Sequence, residues 1–138
     1  MTQANRLYDF ERATVALEEG DYALLEKCLR QNPEIASERD ETNATLLLLI
    51  EHPGHRLNGA AMARLLLKSG AEVDARRDSS TGTALTGTIC TMELDTARML
   101  LDAGADLDAP CGFRPGTAMQ LALETKNKEL IALVKQYR

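Results

Sequence analysis

The chain has 138 residues, of which 44% are hydrophobic and 27% are charged, with 16 basic and 21 acidic side chains. This length suits one domain, and the composition excludes both a disordered tail and a collagen-like fibre. Leu and Ala together supply 41 residues, against two Phe, three Tyr and no Trp, which favours closely packed helices. The net charge of −5 repels a phosphate backbone, so the sequence argues against nucleic acid as a ligand.

The sequence gives no sign of a secretory signal or a membrane span. Its first residues are mixed in polarity, and the apolar run at 45–50 is too short to cross a bilayer. Three cysteines, Cys28, Cys90 and Cys111, cannot all pair within the chain, and their spacing does not suggest a disulfide framework. We therefore expect a cytoplasmic protein with reduced cysteines and no membrane association.

The second half of the chain contains an internal repeat with a period of 34 residues. Residues 63–75 read A-R-L-L-L-K-S-G-A-E-V-D-A, and residues 97–109 read A-R-M-L-L-D-A-G-A-D-L-D-A. The string Gly-Thr-Ala-Leu at 82–85 returns as Gly-Thr-Ala-Met at 116–119. A period of this size is typical of an array of stacked repeats.

Within one repeat, two groups of apolar residues at helical spacing flank a short polar segment, which indicates helix, turn, helix. In chain order, the repeat predicts helices over 84–92, 96–103, 118–125 and 129–136. Because one such unit cannot bury its apolar face alone, each unit needs its neighbours along the chain.

The repeated unit resembles the ankyrin repeat. Thr83 leads the first helix, the second helix ends in a leucine cluster, and the exit at 104–108 reads Gly-Ala-Asp-Leu-Asp. The earlier exit at 70–74 reads Gly-Ala-Glu-Val-Asp, and each glycine stands where a helix end favours a left-handed residue. The start departs from the family pattern, because Thr-Pro-Leu-His is replaced by Thr-Ala-Leu-Thr at 83–86 and by Thr-Ala-Met-Gln at 117–120.

The resemblance implies an all-α solenoid of about four ankyrin-type helix-turn-helix repeats, with loops that protrude between repeats. These repeats span about residues 5–36, 37–73, 74–107 and 108–138, so that the chain forms a single ankyrin-repeat domain. The second repeat holds about four extra residues. We place this insertion at the His-Pro-Gly-His of 52–55, because Pro and Gly break helices, and we expect an enlarged turn there.

Three groups of residues are candidates for chemistry, and a structural interpretation is favoured for each. Asp74 and Asp108 could be paired carboxylates, but they share a repeat position at which Asn or Asp bonds the turn backbone. His52 and His55 lack two further metal ligands nearby, and Cys28 falls at a core leucine position. For the other two cysteines, a histidine is within reach only across the insertion. We therefore expect no enzyme, no metal and no cofactor.

The ankyrin resemblance implies a binding surface formed by the loops and the first helices. The stretch 81–91 fills a predicted helix with Thr and Gly, which are weak helix formers, and such a departure often marks a functional surface. Phe113, one of two phenylalanines, precedes Arg114 in a polar loop, which is the composition of a binding hot spot. The candidate partner-binding residues are Arg39, Arg76, Arg77, Thr86, Gly87, Cys90, Phe113, Arg114 and Glu124.

Each of these signals has an alternative interpretation. The loop arginines can be merely solvated, Phe113 can fold back on the end of the repeat array, and the small residues of 81–91 can serve only to let helices approach. For the function, we expect a monomeric, non-enzymatic interaction module that binds or masks another protein, as an adaptor or as a neutraliser of a toxin or enzyme. The alternatives are a structural or self-associating module and, less favoured, a small metal-dependent enzyme.

Overall fold

The structure, a computed structural model, describes residues 3–50 and 58–137. These residues contain eight α-helices and one 3-10 helix, and their only β-type pairing is an isolated antiparallel bridge between Pro110 and Thr117. The all-α class predicted from the sequence is confirmed for this part of the chain. The insertion predicted at 52–55, with both histidines, lies outside the described residues.

The helices follow one another along the chain in pairs. In order they are α1 (Gln3–Glu19), α2 (Tyr22–Gln31), the 3-10 helix (Pro33–Ser37), α3 (Leu46–Leu49), α4 (Gly59–Lys68), α5 (Ala84–Thr91), α6 (Leu94–Asp102), α7 (Ala118–Glu124) and α8 (Lys128–Lys135). Helices α5 to α8 begin and end within two residues of the positions that the 34-residue repeat predicts. Within the described ranges, no helix is both long and apolar enough to cross a membrane.

The first helices of the two best-matched repeats begin with the same cap. The hydroxyl oxygen of Thr83 accepts a hydrogen bond from the Thr86 amide at 3.4 Å, and that of Thr117 accepts one from the Gln120 amide at 3.2 Å. At the second site the Gln120 side chain also accepts a bond from the Thr117 amide, at 2.9 Å, and completes a capping box. Such caps satisfy amides that a helix start otherwise leaves unpaired, which helps a short helix to form.

Two of the second helices end at the predicted glycines. Gly70 follows α4 with a φ of 105°, and Gly104 follows α6 with a φ of 93°. Residues with a side chain rarely adopt these left-handed conformations. The chain therefore leaves both helices by the same kind of turn.

The helices pack in a regular order. Helix α2 contacts α4, α4 contacts α6, and α6 contacts α8, while α1 contacts α3 and α5 contacts α7. One hydrophobic core receives residues from all eight helices. Its largest fully buried side chains are Leu17, Leu25, Ile35, Leu46, Leu47, Met62, Leu66, Leu85, Ile89, Leu100 and Leu130.

Hydrogen bonds join two of the loops that precede first helices. We call residues 38–45 loop 1, residues 69–83 loop 2 and residues 103–117 loop 3. The Arg39 guanidinium donates to the Arg76 carbonyl at 2.8 Å, and the Asn43 amide side chain donates to the Arg77 carbonyl at 2.6 Å. The second bond joins residues 34 positions apart, so the two loops meet at equivalent points of the repeat.

Loop 2 is joined in turn to loop 3. The carboxylate of Asp74 accepts a hydrogen bond from the Asp106 amide at 2.9 Å, and the Asp106 carboxylate accepts one from the Asp108 amide at 2.9 Å. A side chain at Gly112 would come within 2.3 Å of the Thr81 carbonyl oxygen, so the two backbones touch there. The structural role predicted for Asp74 is confirmed, because its carboxylate holds a turn of the next loop.

The packing order predicts how stability responds to truncation of a leucine. Leu100 in α6 is 1% exposed, whereas Leu7 in α1 is 59% exposed. We expect Leu100→Ala to lower the free energy of unfolding by about 2 to 5 kcal/mol, since it removes buried surface and leaves a cavity. The matched change Leu7→Ala should cost less than about 0.5 kcal/mol. Urea denaturation measures both, and equal losses at the two sites would contradict this packing.

Candidate functional site

A groove of about 430 Å³ opens between loop 2, α5 and loop 3, and we call it the α5 groove. It brings together side chains or backbone from five of the nine residues that the sequence marks as partner-binding. These are Arg77, Thr86, Gly87, Cys90 and Phe113. The remaining four lie elsewhere on the surface.

The floor of the α5 groove is less polar than its threonines suggest. The Thr86 hydroxyl donates to the Thr83 carbonyl at 2.7 Å, and the Thr91 hydroxyl donates to the Gly87 carbonyl at 3.1 Å. Threonine in a helix commonly bonds back to its own preceding turn in this way. Because these two hydroxyl protons are bonded to the backbone of α5 and its cap, they are not available to a molecule in the groove.

Gly87 and Cys90 lie one turn apart on the side of α5 that faces the groove. Gly87 contributes no side chain, and Cys90 is exposed. The other two thiols differ, because burial raises the pKa of both Cys28 and Cys111. The core position predicted for Cys28 is confirmed, and Cys90 is the cysteine most open to solvent.

Phe113 forms a wall of the α5 groove from loop 3. The close approach of Gly112 to Thr81 lays loop 3 against loop 2, and the next residue, Phe113, thereby reaches the groove. Its side chain is 54% exposed, so the ring does not fold back into the core. The half-buried Arg77 lines the same groove. An exposed aromatic ring and an arginine in one groove are a combination often found at binding hot spots.

Arg77 contributes a positive charge to the groove. Its Nε atom is buried and has no hydrogen-bond partner among the described residues. The positive charge of Arg77 interacts with two carboxylates, those of Asp40 and Asp78. Burial opposes the ionisation of Asp40, but hydrogen bonds from Thr42 and the backbone, helped by Arg77, lower its pKa. Hydrogen bonds from Ser80, helped by the loop arginines, lower the pKa of Asp78.

Arg39 and Arg76 use their guanidinium groups to brace the loops. Beyond its bond to loop 2, Arg39 donates to the Asn43 carbonyl at 2.7 Å. Arg76 donates to the carbonyls of Ser79 and Thr81, both at 2.9 Å. The structure thus gives these two arginines a local structural role, and a role for either in partner binding stays a prediction.

Arg114 and Glu124 lie together, outside the α5 groove. Their side chains form an ion pair at 2.5 Å, in which both partners are largely exposed. An exposed pair of this kind contributes little to stability, about 0 to 1 kcal/mol. The pair can help to fix loop 3 against α7, since it joins these two elements.

Six residues of the α5 groove were not among the predicted site residues: Leu48, Ser80, Thr81, Gly82, Thr83 and Thr91. The signal for four of them was present, because Thr81, Gly82, Thr83 and Thr91 belong to the Thr-rich and Gly-rich stretch of 81–91. No sequence pattern pointed to Leu48, which comes from α3 in the preceding repeat.

A second groove, of about 500 Å³, lies between α1 and loop 1, and Arg39 lines it. Leu7 and Phe10 supply its apolar surface, and Glu11 and Glu41 supply acidic groups. The sequence analysis did not identify this groove, since its two walls come from segments that share no repeat motif.

The α5 groove offers few ionisable side chains for acid–base chemistry. Of the described residues that line it, only Arg77 and Cys90 carry an ionisable group. Across the described residues, no group of three or more His, Cys, Asp or Glu side chains is placed to hold a metal ion.

Comparison with known proteins adds no family to this description. No family model matches the sequence, and no curated protein matches it either. The molecule is therefore described by its own structure alone. It is an all-helical protein whose paired helices and joined loops form an open groove with an exposed aromatic side chain.

The burial of the three cysteines predicts selective alkylation. Iodoacetamide should modify Cys90 in the native protein and should leave Cys28 and Cys111 largely unmodified, because burial shields these two thiols and disfavours their thiolates. Peptide mass spectrometry identifies the modified residues, and the same reaction in concentrated urea, where all three should react, is the control. Native labelling of Cys111 as fast as that of Cys90 would contradict the placement of loop 3.

Proposed function

We propose that this chain is a non-enzymatic interaction module of ankyrin-type repeats that binds or masks another protein in the α5 groove. One observation carries the proposal. Residues that are far apart in the sequence, Leu48, Arg77 and Phe113, meet in one groove together with the inward side of a first helix. This is the surface on which the resemblance to ankyrin repeats leads one to expect a partner.

The solenoid part of the proposal is supported by the spacing and by the contacts. Helices α5 and α7 begin at Ala84 and Ala118, and α6 and α8 begin at Leu94 and Lys128, so both pairs are 34 residues apart. The second helices contact one another in sequence from α2 to α8, and bonds between successive loops accompany these contacts. Stacked repeats that contact only their neighbours have this pattern of contacts.

The groove's composition supports a protein partner over other ligands. Phe113 offers a large apolar surface to solvent, and aromatic residues beside arginine are enriched where proteins bind tightly. The net charge of −5 disfavours nucleic acid. An open groove built from three segments suits a length of polypeptide that lies across the loops.

A second candidate, self-association, is supported by α1. The side chains of Leu7, Tyr8 and Val15 on this helix are large, apolar and exposed. If this surface joins two copies, sedimentation equilibrium will give a dimer mass that Leu7→Glu reduces to the monomer mass. If both proteins sediment as monomers, this candidate is excluded.

The proposed binding surface predicts the effect of two substitutions. After a partner has been captured from the lysate of the source cells and purified, calorimetric titration should show that Phe113→Ala costs about 2 kcal/mol or more of binding free energy. Gly87→Arg should block binding, because it places a long side chain in the groove. Gly87→Ala is the matched control, and it should bind more tightly than Gly87→Arg.

The exposed Arg98 serves as a control, because it lies on α6, which does not line the α5 groove. Arg98→Ala should leave the affinity unchanged, and all variants should unfold cooperatively near the parent temperature. Unchanged binding by both Phe113→Ala and Gly87→Arg, or a larger loss from Arg98→Ala, would place the partner elsewhere on the protein.

A further inference from the structure

We infer that the α5 groove takes a partner segment in which an Asp or Glu side chain stands next to an aliphatic side chain. The carboxylate would meet the guanidinium of Arg77, and the aliphatic group would lie over Gly87 against Phe113. This inference rests on the proposed function, because it takes the groove as the surface that the partner covers.

Arg77 differs from the other three loop arginines in how its side chain is used. Arg39 and Arg76 donate to main-chain carbonyls, and Arg114 pairs with Glu124. The Nε atom of Arg77 is enclosed by the protein without an acceptor among the described residues, so a ligand in the groove can bond this side chain only at its terminal nitrogens. A guanidinium that lines a groove favours a ligand that brings an anionic oxygen, because charge-assisted hydrogen bonds are stronger than neutral ones. A carboxylate fits the planar fork of a guanidinium particularly well.

The charges around Arg77 favour a single carboxylate over a phosphate. Asp40 and Asp78 interact electrostatically with Arg77, and hydrogen bonds favour the ionised form of both carboxylates. These two negative charges cancel much of the attraction that a dianion would feel at a distance. A monoanionic carboxylate is repelled by these two charges about half as strongly as a dianion, and it keeps the paired hydrogen bonds to the guanidinium.

The rest of the groove favours an aliphatic neighbour for that carboxylate. The hydroxyl protons of Thr86 and Thr91 are bonded within α5, so they are not available to a polar side chain of the partner. Gly87 leaves room for a side chain above the helix, and the exposed ring of Phe113 bounds that space. An aliphatic group gains from leaving water on such a surface, whereas a polar group would lose hydrogen bonds there.

Short peptides test this inference without knowledge of the natural partner. The probes are acetylated and amidated peptides of glycine and serine that carry one leucine followed by Asp, Asn, Lys or phosphoserine. The decrease in the rate of Cys90 alkylation with peptide concentration gives each affinity. We expect the Asp peptide to bind about tenfold more tightly than the Asn peptide, the effect of a charge-assisted hydrogen bond.

Substitutions assign the preference to Arg77. Arg77→Gln should abolish the difference between the Asp and Asn peptides, and Arg77→Lys, which keeps the charge, should retain part of it. Arg98→Gln removes the same charge from α6 and should leave the preference unchanged. A urea melt of each variant checks that loop 2 and the core are intact.

The outcomes separate this inference from the proposed function. Equal binding of the Asp and Asn peptides, a preference for Lys or phosphoserine, or a preference that survives Arg77→Gln would overturn the inference. If peptides of every charge bind and Phe113→Ala weakens them all, the groove remains the binding surface and only the acidic preference is wrong. If no peptide slows the alkylation of Cys90, both the inference and the groove as a binding surface are wrong.

Discussion

The hydrogen bonds between successive loops are the constraint on which the candidate site depends. The side chains of Arg39 and Asn43 reach the carbonyls of Arg76 and Arg77, and Asp74 reaches the amide of Asp106. Loops are normally the most variable parts of a protein, and these bonds fix each loop by means of its neighbour. The walls of the α5 groove are therefore held by hydrogen bonds between side chains of one loop and the main chain of its neighbour, and Phe113 can be exposed without loss of the loop that carries it.

Helix α5 illustrates how a sequence with low helix propensity becomes a stable wall of the α5 groove. Its residues, A-L-T-G-T-I-C-T, include glycine and several threonines, which form isolated helices poorly. The Thr83 cap and the burial of Leu85 and Ile89 supply the stability that propensity does not. The same small residues keep the groove open at Gly87. A better helix former with a long side chain at that position would strengthen the helix and fill the groove.

The sequence predicted the helices better than it predicted the roles of the arginines. A 34-residue offset and two exit glycines were sufficient to place α5 to α8 within two residues, because backbone turns depend on local residue types. The same patterns could not separate Arg77 from Arg39 and Arg76. Which carbonyl a guanidinium reaches depends on how two loops lie in space, and residues far apart along the chain decide that. Leu48 was missed for the same reason.

Hydrogen–deuterium exchange of the protein with and without its purified partner is the most direct test of the central claim that the α5 groove is the binding surface. The account predicts slower exchange in loop 2, in α5 and around Phe113 when the partner is bound, with little change in α2, α4, α6 and α8. Protection confined to the second helices, with unchanged exchange over residues 77–91, would contradict it.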